Sequence, residues 1–93
     1  MSANTGQKTV AVPGTAEALG SGSVNGPLLV KALETNTGVV VVGNDGGNDV
    51  DMSSGFHLSA AESIEFRWVG DLGRIRVDAA IAGEGVCWAL LAV

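Results

Sequence analysis

The side chains able to do chemistry fall in four places. The loop Gly43 to Asp51 (GNDGGNDVD) gathers Asp45, Asp49 and Asp51 with Asn44 and Asn48. Oxygen ligands on a glycine-rich loop are what a calcium ion takes. The spacing is not that of an EF-hand loop, and Asn, Asp and Gly are also the ordinary residues of turns. His57 is the one histidine. A catalytic role would need a serine or cysteine beside it and a carboxylate to orient the ring. The chain carries neither G-x-S-x-G nor H-E-x-x-H, so His57 is read as a side chain of a short strand, at the surface or partly buried. Cys87, the one cysteine, alternates with Val86 and Trp88 and has no basic neighbour in sequence to activate it. It reads as a small apolar filler. Arg74 and Arg76 sit at strand spacing, with Arg67 expected on a neighbouring strand. A solvated face or an inter-subunit salt bridge is a plainer reading of the three than an anion site.

The glycine-rich stretches add no chemistry. GSGSVNG (Gly20 to Gly26) and NDGG match neither the Walker nor the dinucleotide pattern, and no helix follows either. No catalytic residue, metal or cofactor is therefore predicted. The chain has 93 residues and a formal charge of −5, with only five Lys and Arg. Nucleic-acid binding needs clustered cations to neutralise phosphates, so that partner is excluded. The opening MSANTGQKTV has no apolar run of the kind a secretory leader carries, and no apolar run is long enough to span a membrane as a helix. The expectation is a soluble chain made in the cytoplasm. A domain this small buries a modest share of its surface, and its single cysteine rules out an intrachain disulfide. Oligomerisation is the remaining support.

The elements that must position these residues are strands. The stretch Gly55 to Val69 reads as a hairpin: Gly55 to Leu58, a turn over Ser59 to Glu62, then Ser63 to Val69. In its second half Ile64, Phe66 and Trp68 fall on one face and Ser63, Glu65 and Arg67 on the other. Thr9 to Val12 is a candidate first strand, ended by Pro13-Gly14. Thr15 to Leu19 is a short strand, Gly20 to Gly26 a mobile loop, and Leu28 to Leu33 a strand opened by Pro27. Asn36-Thr37-Gly38 is a turn. Val39 to Val42 is continuously β-branched, consistent with a strand buried on both faces or with a subunit contact. In Arg74 to Ile81, residues Ile75, Val77, Ala79 and Ile81 share one face, and Arg74, Arg76, Asp78 and Ala80 the wet one. Gly83-Glu84-Gly85 is a hairpin turn into Val86 to Val93, where Val86, Trp88 and Leu90 share a face. The fold class is all-β: an eight-stranded antiparallel β-sandwich or jelly roll over residues 9–93, preceded by a flexible polar arm over 1–8.

Three phrases then carry a resemblance: NTGVVVVGNDG, GFHLSAAESIEF and DLGRIRVDAAIAGEGVCWALLAV. They resemble small virion proteins of tailed bacteriophages, in which a strand ending V-G-[ND] is followed by G-x-x-L-x-x-x-E-S-[IV], D-L-x-x-I-x-V-x-A and a G-x-G-V turn. The matching positions are Val42-Gly43-Asn44, Gly55, Leu58, Glu62-Ser63-Ile64, Asp71-Leu72, Ile75, Val77, Ala79, Gly83 and Gly85-Val86, all from Asn36 onward. The family often has Pro-Gly before Glu-Ser, where this chain has Ala60-Ala61. The resemblance implies a β-sandwich or jelly-roll decoration (cement) protein. Such a protein is made in the host cytoplasm, sits as a homotrimer on the outside of the head, and clamps the major capsid protein. On this reading the arm, Ser2, Ala3, Asn4, Thr5, Gly6, Gln7 and Lys8, binds the capsid. The trimer contact is expected at Val39, Val41, Leu91 and Val93, because the strands 39–42 and 86–93 are apolar on both faces. The alternatives are a head-fibre or tail-associated module, and a calcium- or carbohydrate-binding sandwich using the acidic loop 43–51.

Overall fold

The computed structural model describes residues 5–24, 27–44, 50, 54–67 and 70–91. The strands are β1 (Thr5–Thr9), β2 (Glu17–Ala18), β3 (Ser23–Val24), β4 (Leu28–Ala32), β5 (Val40–Asn44), β6 (Phe56–Leu58), β7 (Ser63–Phe66), β8 (Gly70–Asp71), β9 (Ile75–Ala79) and β10 (Gly85–Leu90). A single 3₁₀ turn, Leu72–Arg74, joins β8 to β9, with the Asp71 carboxylate accepting from the Gly73 N–H at 2.8 Å.

Two four-stranded antiparallel sheets form a sandwich. The front sheet has the order β1-β10-β4-β7, the back sheet β2-β9-β5-β6, and β3 pairs with β8 in a two-residue ladder. The strand count among the described residues is thus ten, not eight, and the two extra strands are that ladder. It lies partly within Gly20 to Gly26, a stretch whose composition reads as loop alone.

The core lies between the sheets and is built from small branched side chains. Leu28, Val30 and Ala32 of β4 face Val40 and Val42 of β5, with Val77 and Ala79 of β9 and Val86 and Trp88 of β10. Alternation places these residues inward, as the period of a strand requires. Leu28 and its Val neighbours are wholly buried, each worth about 1.5–3 kcal/mol of transfer free energy. Ile64 and Phe66 are half-buried against this cluster, so β7 flanks the core rather than centring it.

Several expectations are corrected. Gly55 to Val69 is not a hairpin: β6 belongs to the back sheet and β7 to the front. The turn Ser59–Glu62 is a corner between sheets, closed by Glu62 N–H to Ser59 C=O at 2.9 Å and by Ser59 N–H to the Glu62 carboxylate at 2.7 Å. Gly83-Glu84-Gly85 is likewise a corner, because β9 lies in the back sheet and β10 in the front. A local turn signal states that the chain reverses, not which sheet receives it.

The first strand is Thr5–Thr9, not Thr9 to Val12, so Thr5, Gly6, Gln7 and Lys8 are part of the sandwich rather than a flexible arm. As an edge strand β1 needs no apolar alternation: its backbone pairs with β10, and its side chains stay wet or half-wet. Gly6 permits this, since a Cβ there would lie 2.5 Å from the Trp88 ring. Val12 ends in an exposed turn, with Thr15 N–H bonded to Val12 C=O at 3.2 Å. Ile81, expected inward, lies beyond the end of β9 and is exposed.

Candidate interaction surface

No group of three or more His, Cys, Asp or Glu able to hold a metal comes together among the described residues. Asp45, Asn48, Asp49 and Asp51 lie outside the described residues, as do Ser2, Ala3 and Asn4, Trp68 and Val69, and Val93. His57 lies exposed on β6, in register with Val41. Arg67 comes directly after β7 in the front sheet, whereas Arg74 and Arg76 belong to the back-sheet side. The neighbours of β9 are β2 and β5, so the expected arginine cluster does not form across adjacent strands. No helix is long and apolar enough to cross a membrane among the described residues.

Several of the other polar groups are used by the fold. At one end of the sandwich the Glu84 carboxylate accepts from Thr37 N–H at 2.8 Å, Gly38 N–H at 2.9 Å and the Thr37 hydroxyl at 3.0 Å. These bonds hold its pKa below the ordinary value of 4.5, the backbone donors first. The buried Asn36 amide donates to Gly85 C=O at 2.8 Å. Lys8 and Glu17 pair at 2.9 Å and tie β1 of one sheet to β2 of the other. That bond is the main cause holding the Glu17 carboxyl below its usual range.

The two outer faces differ. On the back sheet one outward row is His57, Val41 and Asp78. Val41 and Asp78 are each 0 % exposed. Val50 is buried over this face: a Cβ on Gly43 would lie 2.9 Å from it, and one on Gly55 would strike Val41. The Gly14 turn is held to the same face by its N–H, which donates to Asp78 Oδ1 at 3.0 Å; Ala79 N–H donates to the same oxygen at 2.8 Å. Alternation alone puts Asp78 on a wet face, and the overlying turn is what buries it. Val41, expected at a trimer contact, thus lies beneath the chain's own covering.

On the front sheet the outward rows are Thr5, Ala89, Leu29, Glu65 and Gln7, Cys87, Lys31, Ser63. Leu29, Cys87 and Ala89 are only half-buried, and Leu91, which extends the ladder through its N–H to Pro27 C=O at 2.9 Å, is 50 % exposed. They line or adjoin a shallow groove of about 530 Å³ between β1, β10 and β4. The Cys87 thiol donates to Lys31 C=O at 3.7 Å. Lys31 pairs with Glu34 at 2.8 Å, which raises the lysine pKa and lowers that of the glutamate.

Of the predicted trimer residues, Leu91 is thus on an open face, Val39 is half-buried and Val41 is sealed. Leu29, Cys87 and Ala89 are not among the contacts expected from sequence. Their signal is present in β10, whose two faces are both apolar.

Several residues of the phage-protein resemblance sit at turns or in the core. Gly55 has φ 107° and Gly83 φ 85°, while Ala61, where the family often has Gly, has φ 68°. A Cβ on Gly85 would collide with Lys8 C=O. Comparison with family models, with curated proteins and with solved structures finds no match for this chain.

Proposed function

We propose that this protein is a structural component of a tailed-phage virion: a decoration protein that binds the outside of the head as a homotrimer and stabilises the lattice of the major capsid protein. The observation that carries this reading is the pair of unlike outer faces. At its centre one is covered by the chain's own loops, and the other is apolar at its centre and uncovered among the described residues. A small sandwich built this way is suited to being held by other proteins rather than to turning over a substrate.

The strand order supports the finer fold assignment. Successive strands alternate between sheets except at β5–β6 and at the β3–β8 ladder, which is the interleaving of a jelly roll. The family phrase adds to this, since Glu62, Gly83 and Gly85 fall where the chain turns from one sheet to the other. The arm hypothesis narrows to residues 2–4. Removing Ser2 to Lys8 takes away the edge strand that covers Trp88, and so damages the domain as well as any capsid contact.

The test is to mix the purified full chain with phage heads that lack it, and to count bound copies and measure the temperature of DNA release. Saturable binding at sites of threefold symmetry, with release moved to higher temperature, supports the proposal. No binding to heads, or binding confined to tails, overturns it.

A further inference from the structure

We propose that copies of this chain meet through the outer face of the front sheet, with Leu29, Ala89 and Leu91 at the centre of the contact and Lys31, Glu65 and Arg67 at its margin. This rests on the reading of the protein as a self-associating module, and it assigns that association to one surface.

Three observations select this face and this occupant. The first is exclusion: the centre of the outward row of the back sheet is already sealed, with Val41 and Asp78 both 0 % exposed and Val50 packed above. A partner there would have to lift the chain's own covering. The second is the apolar centre. Leu29 and Ala89 are in register on neighbouring strands, Cys87 is two residues from Ala89, and Leu91 extends the strip. An apolar strip rimmed by Thr5, Gln7, Ser63 and Lys31 has the layout of a protein contact, with a dry middle and a polar edge.

The third is charge. The whole chain carries −5, so any two copies repel at long range. A surface at which copies meet must therefore be locally balanced. Here Lys31 and Arg67 offset Glu34 and Glu65, so the described charges on and beside this face sum to zero. The balance is also patterned. Glu65 on β7 and Arg67 just past its end stand two residues apart, so an approaching copy can set its own acid against this cation. A partner chosen for opposite charge would find no net charge on this face to draw it.

Light scattering on the full chain tests this, using Leu91→Glu against Phe56→Glu. Phe56 is 53 % exposed on β6 at the far edge of the back sheet, so it controls for the loss of an exposed apolar side chain. Circular dichroism melts establish that both variants stay folded. The expected result is an oligomer for wild type and for Phe56→Glu, at three times the 9.3 kDa chain mass on the trimer reading, and a 9.3 kDa monomer for Leu91→Glu. An oligomer that survives Leu91→Glu overturns the assignment of this face while leaving self-association intact. A wild type that is monomeric at all concentrations overturns the self-association itself, and head binding by that monomer would then assign the face to a capsid subunit.

Discussion

Val41 and Leu91 are both apolar and both point away from the core, yet one is wholly buried and the other stands half in water. The difference lies in the course of the chain around each. After β5 the chain returns with Val50 and Gly55 laid against Val41, and the Gly14 turn is pinned beside them by the Asp78 carboxylate. No described segment returns over Leu29, Cys87, Ala89 and Leu91. Two sheets of equal strand number are thus finished differently: one is covered by the chain itself, and the other is left open by the described residues. An apolar outward strand residue is therefore not evidence of an interface until the course of the neighbouring loops is known.

The largest expected effect breaks this contrast directly. Val41→Asp puts an unpaired charge beneath the covering loops and should cost about 3–5 kcal/mol. Leu91→Asp, at a dilution where the chain is monomeric, should change stability by no more than about 0.5 kcal/mol. Urea unfolding of the pair measures both, and equal losses would erase the distinction between the faces.

Next is the clasp that holds the covering turn. Asp78→Ala leaves the Gly14 and Ala79 N–H groups without their shared acceptor, at about 1–3 kcal/mol. Hydrogen exchange should quicken at Gly14 while the Ala89 amide, in the front sheet, is unchanged.

A smaller effect, of opposite sign, lies at the corner between the sheets. Ala61 holds φ 68°, the sign of the third residue of a type II turn, which favours glycine. Ala61→Gly should therefore stabilise by about 0.5–1 kcal/mol, seen as a higher urea midpoint.

The smallest effect is in pH dependence. Hydrogen bonds from Thr37 and Gly38 depress the Glu84 pKa below 4.5 in the folded chain. A depressed carboxyl stabilises above its unfolded pKa and loses that contribution as pH falls through the folded one. Glu84→Gln should thus be less stable than wild type at neutral pH, with the gap closing below about pH 4. Paired unfolding curves across that range would show it, and a gap independent of pH would remove the linkage.

Much of the fold is legible in the residues. The alternation of Ile75, Val77 and Ala79 marks β9, and the unbroken valines mark a strand buried on both faces, as Val40, Val41 and Val42 are. Partnership is not legible. Ser59 to Glu62 has the chemistry of a turn, and that chemistry is the same whether the next strand joins its neighbour or crosses to the opposite sheet. Thr5–Thr9 is hidden because an edge strand gains its stability from backbone pairing and from a missing side chain at Gly6, neither of which leaves an apolar pattern. Asp78 is misplaced by alternation because its burial depends on a turn 64 residues away in sequence. The candidate surface is half legible: the doubly apolar β10 points to it, while the equally apolar β5 points to a face the chain seals itself.

The claim that the front sheet is left for a further copy is tested most directly at Cys87, the one cysteine and a residue of that face. Its rate of labelling by a thiol reagent can be followed on the native full chain across a dilution series. The account predicts slow labelling in the concentrated protein, faster labelling on dilution, and fast labelling at every concentration in Leu91→Glu. A wild-type rate that does not change with concentration, while light scattering shows the oligomer forming, would contradict it.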